Sequence, residues 1–199
     1  MTYPSIDKVR ELADQAHLVP ISRKILADTE TPLSAYMKVR STGGHTFLFE
    51  SVEGGEKIGR YSFLGVDPFL VFRSRGQGIT LTDLRSGETT SYVANPIDEL
   101  RRLIDEHRSV HVSGLPRFTG GAVGHVGYDA IRLVEDIPDT TEDDLDLDDI
   151  VLMFFDTLLA FDNIQHVIHL ISNVHTGTDD LQAGYDAAVA KIDALEAAL

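Results

Sequence analysis

"FLVFRSRGQGITLTDLRSGETTSYV", residues 69–93, holds runs of β-branched and aromatic residues in quick succession. The runs are FLVFR, ITLTDL and ETTSYV, and Arg85-Ser86-Gly87 joins the last two as a hairpin turn. Strands joined this tightly pair antiparallel, because a parallel pair needs a crossover of roughly a dozen residues or more. Two earlier runs have the same character. HTFLF (45–49) and RYSFL (60–64) flank a glycine-bearing loop at 52–59 and complete a sequentially paired antiparallel sheet.

Helical signals surround these strands. Ser5 precedes IDKVRELADQA, where Ile6, Val9, Leu12 and Ala13 recur at helical spacing, and this helix ends before Pro20, where an extended link begins. Thr31-Pro32 caps a short helix through LSAYMKV, which Gly43-Gly44 closes. Asn95-Pro96 caps IDELRRLIDEHR, whose Ile97, Leu100, Leu103 and Ile104 form one apolar face expected to lie across the sheet. In FTGGAVGHVGYDAIRLVEDIP (118–138) the closely spaced glycines exclude a regular helix and mark a strand that another backbone approaches closely. Tyr128 to Glu135 then reads as helix. After an acidic loop, IVLMFFDTLLAFD (150–162) and HVIHLIS (166–172) read as two apolar strands, and Asp179-Asp180 caps a final amphipathic helix. The fold class is α+β, mostly antiparallel sheet with packed helices, in one domain over 1–199.

Composition narrows the functions. The 199 residues include no cysteine, which removes disulfides and thiolate chemistry and fits a reducing cytoplasm; no signal peptide or apolar span is read. Seventeen Lys and Arg against 32 Asp and Glu give a net charge of −15, unfavourable for nucleic acid or anionic membrane. Eight histidines include no His-Glu-x-x-His, and His166 and His169 fall on opposite strand faces. The acidic stretch 135–149 lacks the glycine and terminal glutamate of an EF-hand. No Gly-x-Ser-x-Gly elbow occurs and the glycines at 120–127 lack a phosphate-loop ending, so no catalytic residue and no metal or cofactor site is assigned.

What remains is FLFESVEGGEKIGRYSFLG, 47–65, where an apolar strand ends in Glu50 and Ser51. Alternation puts Phe47, Phe49 and Ser51 on one face and Thr46, Leu48 and Glu50 on the other. If this strand pairs with RYSFL, Tyr61 and Ser62 come near Glu50 and Ser51. An amino-acid ligand needs that mixture: an acceptor for its ammonium, which Glu50 supplies, donors for its carboxylate and an apolar slot. On these residues alone, a surface cap at Glu50 and a satisfied strand-end hydroxyl at Ser51 remain an open alternative.

FLFESVEGGEKIGRYSFLGVDP resembles the L-L-E-S…G-R-Y-S-F-x-G segment of the anthranilate synthase component I family, and GGAVGHVGYDAIRLVEDIP resembles its G-G-x-V-G-Y-x-x-Y-D-x-x-R-x-x-E-x-x-P. VPISRKILADTETPLSAYMKV and VLMFFDTLLAFD also fall in the family's order, so the likeness covers nearly the whole chain. Phe49 stands in place of the second leucine, and His125 in place of a tyrosine. The resemblance implies the family's N-terminal regulatory domain, separated from the portion that binds chorismate and Mg²⁺ and carries catalysis. It implies L-tryptophan as feedback inhibitor at Glu50 and Ser51, with Tyr61 and Ser62 beside them, and as partners the chorismate-binding portion and a glutamine amidotransferase subunit, component II. The equivalent domain of aminodeoxychorismate synthase component I, a stand-alone amino-acid-binding module and a subunit-docking module are the alternatives.

Overall fold

The hairpin at 78–93 shows how closely local chemistry sets this structure. In the computed structural model, which describes residues 1–40, 44–50, 59–138, 140, 142–178 and 180–199, β5 (Gly78–Asp83) pairs with β6 (Thr89–Val93), Ile79 opposite Tyr92 and Thr82 opposite Thr89. The turn closes because the Asp83 carboxylate accepts the N–H groups of Arg85 and Ser86 at 2.7 and 2.9 Å, while Gly87 takes φ +75°. Hydroxyl pairs Thr80–Ser91 and Thr82–Thr89 line one face of the ladder.

The remaining elements are α1 (Ile6–Leu12), β1 (Leu18–Leu26), α2 (Pro32–Val39), β2 (Thr46–Phe49), β3 (Tyr61–Val66), β4 (Leu70–Arg75), α3 (Pro96–Glu106), β7 (Gly121–Val126), β8 (Ile150–Phe155), β9 (Thr157–Asp162), β10 (Val167–His175) and α4 (Leu181–Ala198). The caps act as their residue types require. Thr31 and Ser34 form a reciprocal capping box on α2, the Asn95 side chain accepts the Ile97 N–H on α3, and Asp180 accepts the Ala183 N–H on α4.

The described residues form two five-stranded sheets, ordered β1-β10-β9-β3-β2 and β6-β5-β4-β8-β7. The α+β class stands. The simple sequential pairing does not: β1 pairs with β10, β3 with β9 and β4 with β8, over long sequence separations. The chain falls into two compact units, Met1–Pro68 with His107–Gly121 and Phe155–Leu199, and Phe69–Glu106 with Ala122–Phe154.

In the first unit α1, α2 and α4 cover one face of the first sheet. Val9, Ala35, Ala188 and Ile192 pack there against Val19, Ile21, Leu64, Leu159, Ile168 and Leu170. On the opposite face Leu158, Ala160 and Ile171 lie under Phe63 and Phe118. In the second unit Leu100 and Leu103 of α3 pack on Phe72, Ile79, Ile150 and Phe154, so that helix does lie across its sheet. Burying each such side chain contributes roughly 1.5–3 kcal/mol.

Four local expectations change. The link after the first helix is the nine-residue strand β1, in which Pro20 is tolerated because β1 is an edge strand. Leu18 and Ser22 donate their N–H groups outward, to the carbonyls of Arg108 and Tyr3, and Pro20, in the same phase, lacks its donor on the side away from β10. The run 150–162 is two strands, β8 in one sheet and β9 in the other, divided at Asp156. That carboxylate, 2% exposed, accepts Lys191 Nζ at 3.0 Å on each oxygen and the Thr157 hydroxyl at 2.9 Å, which holds a polar residue inside an apolar run. Helix α1 gives way to a 3₁₀ turn at Ala13–Gln15, and the helix read at 128–135 is a 3₁₀ segment, Tyr128–Leu133. The glycine reading holds, since a Cβ on Gly124 would collide with the Val151 carbonyl.

Candidate functional site

The first unit carries the residues singled out around 50–62. Strands β2 and β3 pair antiparallel, as the ligand reading required, with Phe47 opposite Gly65 and Phe49 opposite Phe63. A Cβ at Gly65 would strike the Phe47 ring, so glycine is what lets that ring lie flat across β3. Phe47 is buried and its ring stands 5.0 Å from Phe49 and 4.9 Å from Phe155. Phe63 meets Phe118 edge-on at 5.4 Å, and Tyr61 continues the row 6.0 Å from Phe63. Phe49 remains 55% exposed, so the aromatic face keeps an open apolar end.

The four site residues do not share one face. Tyr61 lies opposite Asp162 and belongs with Phe47, Phe49 and Phe63, whereas Ser62 lies opposite Phe161, on the helix-covered side. Ser62 is 1% exposed and its hydroxyl accepts Asn163 Nδ2 at 3.4 Å. Glu50 is exposed immediately past the end of β2. Ser51 lies outside the described residues.

Sequence reasoning did not find the charged cluster beside Tyr61. Asp162, the last residue of β9 and 2% exposed, accepts Arg60 Nη2 at 2.6 Å and Nε at 3.1 Å on Oδ2, and the N–H groups of Ile164 and Gln165, each at 3.0 Å, on Oδ1. Burial pushes this carboxyl up, but Arg60 and the two turn amides outweigh it and hold the group below the usual carboxylate range. The Arg60 guanidinium stands 4.9 Å from the Tyr61 ring centroid. Burial, and then the Asp162 charge, raise the Tyr61 phenol. His169, 3% exposed, is held below its ordinary value by burial first and then by the charge of Lys24. Only the Asx turn at Asp162 has a local signal, an Asp-Asn pair after an apolar run.

The second unit holds a separate cavity of about 830 Å³, whose walls include Arg75, Arg132, His125, Tyr128, Asp129 and Asp149; none of the site residues lines it. Its arginines are engaged, Arg75 with Asp143 and Asp146 and Arg132 with Asp129 at 2.9 Å. Among the described residues no group of three or more His, Cys, Asp or Glu side chains is arranged to hold a metal ion, and no helix is long and apolar enough to cross a membrane.

Comparison with known proteins gives this geometry a context. Anthranilate synthase component 1 of Acetivibrio thermocellus is 37% identical over 192 residues, 96% of this chain and 38% of its own length. The Synechocystis sp. protein of the same name is 38% identical over 198 residues, 98% of this chain and 39% of its own length. The chain belongs to the anthranilate synthase component I family. The crystal structure of anthranilate synthase component I from Streptococcus pneumoniae agrees, with a TM-score of 0.54 and 27% identity over 86% of this chain and 36% of that one. No family model matches the chain. The chain spans less than two fifths of the length of the curated anthranilate synthase relatives it matches.

Proposed function

We propose that this chain is the N-terminal regulatory part of an anthranilate synthase component I, and that it binds L-tryptophan as feedback inhibitor at the Glu50 end of β2. The observation that carries this reading is the aromatic row Phe47, Phe49, Phe63 and Tyr61, open at Phe49, at the strand end that the exposed Glu50 follows in sequence. An indole fits such a row through offset or edge-to-face contacts, and a carboxylate fits the ligand's ammonium. Ser51 would complete the pocket. Tyr61 faces the ring side and Ser62 supports the hairpin from behind.

In the complete enzyme the remaining portion would bind chorismate and Mg²⁺, form anthranilate, and receive ammonia from the glutaminase subunit, component II, in a reducing cytoplasm. No step of that chemistry is assigned to residues of this chain. Inhibition would arise because tryptophan favours a conformation that holds chorismate less well, which requires different affinities for the two states.

The chain contains no tryptophan residue, so all indole emission comes from added L-tryptophan, and a change in its intensity or anisotropy on titration reports binding. The parent chain should bind and Glu50→Gln should bind more weakly, since removing a charge-assisted hydrogen bond costs about 1.5–3 kcal/mol. In a longer enzyme carrying this domain, Ser51→Phe should abolish inhibition and leave uninhibited turnover near normal. A Ser51→Phe enzyme that stays as tryptophan-sensitive as its parent would sink the assignment.

A further inference from the structure

We propose that Asp162 is a positioning residue for the ligand face, holding the Tyr61 ring in place through the Arg60 guanidinium; this rests on the tryptophan-binding reading above. The two oxygens of Asp162 have separate work. Oδ1 caps the β9–β10 turn by accepting the Ile164 and Gln165 N–H groups, and Oδ2 grips Arg60 through Nη2 at 2.6 Å and Nε at 3.1 Å. An asparagine would cap that turn equally well with its side-chain carbonyl. The turn alone therefore gives no reason to bury a full negative charge at 2% exposure, which is costly unless the charge is paired. The guanidinium supplies the reason.

Arg60 precedes β3 directly, and its grip on Asp162 sets it over the Tyr61 ring at 4.9 Å from the centroid. Asn163 holds the same segment by its backbone and side chain. Its N–H donates to the Arg60 carbonyl at 2.9 Å, and Nδ2 donates to the Gly59 carbonyl at 3.2 Å and the Ser62 hydroxyl at 3.4 Å. The start of β3, which carries Tyr61 into the aromatic row, is thus fixed by residues about a hundred positions away in sequence. A planar guanidinium held from one side by a carboxylate restricts the ring it stacks on far more than a free arginine would.

The test uses the full chain, with L-tryptophan as the probe and its indole fluorescence as the signal. Asp162→Asn keeps the turn cap and removes the charge, and Arg60→Gln breaks the same bridge from the other end. Each variant should weaken binding about tenfold. The double variant should bind no more weakly than the weaker single one, because both changes remove one shared interaction. Leu64→Val, buried on the helix-covered face, lowers the melting midpoint without touching the aromatic row and should bind as the parent does. Parent-like binding by Asp162→Asn overturns the inference, as do strictly multiplicative losses in the double variant or a loss in Leu64→Val matching that of Asp162→Asn. A parent chain that takes up no L-tryptophan overturns the functional reading, and this inference with it. A parent that binds beside variants that bind equally well overturns the inference alone.

Discussion

A methyl group added at residue 124 would run into the Val151 carbonyl of the adjacent strand, and the nearest atoms it would meet are all backbone. Gly87 presents the opposite situation, with open space around a hypothetical Cβ but a positive φ of 75°. The first glycine serves close approach and the second serves a turn, and only the first has packing that cannot yield. Gly124→Ala should therefore destabilise the second unit by roughly 1–3 kcal/mol, the range found when extra atoms are forced into packed sites. Urea unfolding checks this, and an unchanged midpoint would mean that β7 and β8 do not lie as close as they do here. Asp156 and Asp162 show the same economy in polar form. Each is 2% exposed, each is satisfied by a cation and by other donors, and each stands at the end of an apolar stretch where it decides where the strand stops.

Elements with a local cause could be read from the chain itself. The capped helices, the Asp83–Gly87 hairpin and the closely approached glycine strand depend on residues within a few positions of one another. Strand β1 was not legible, because Pro20 argues against a strand until the outward phase of that edge is known. The division of 150–162 between two sheets was equally hidden, since an apolar run shows burial but not which sheet it joins. The aromatic row at 47, 49 and 61 follows from period two and strand pairing, whereas the Arg60–Asp162 bridge joins residues 102 apart and has no local signal. Between elements, the packing of α3 against β6 gives a pH prediction. Burial, and then hydrogen bonding to Glu99, push the Tyr92 phenol up from 10 to about 12. The fold thus favours the neutral phenol. Its stabilising contribution is complete below about pH 10 and is lost as pH rises through about 12. Tyr92→Phe should be less stable than the parent at neutral pH and should lose less stability across that alkaline window. Parallel stability curves for the two proteins would show that Tyr92 is not held in this way.

At the scale of the whole molecule, the first unit is assembled from segments that are distant in sequence. Strand β1 finds its long ladder partner in β10, and β3 lies between β9 and the four-residue β2. The centre of that sheet is therefore β9, flanked by β10 and β3, while β2, bearing the Glu50 end of the proposed site, is an edge among the described residues. Leu159, Ile168 and Leu170 are fully buried, and their strands are hydrogen-bonded on both sides. Opening them requires loss of the helix-covered core, whereas an edge strand can open by itself. The other edge, β1, is guarded at Tyr3 and Ser109 by isolated bridges. Native-state hydrogen exchange on the intact chain should accordingly rank the amides of β9 and β10 as the slowest in this unit and those of β2 among the fastest. Saturating L-tryptophan should slow β2 selectively, since a ligand protects the segment that must be closed for it to bind. If β2 exchanged as slowly as β9 without ligand, it would not behave as the edge strand of this sheet, and ligand-selective protection of β2 would not be seen.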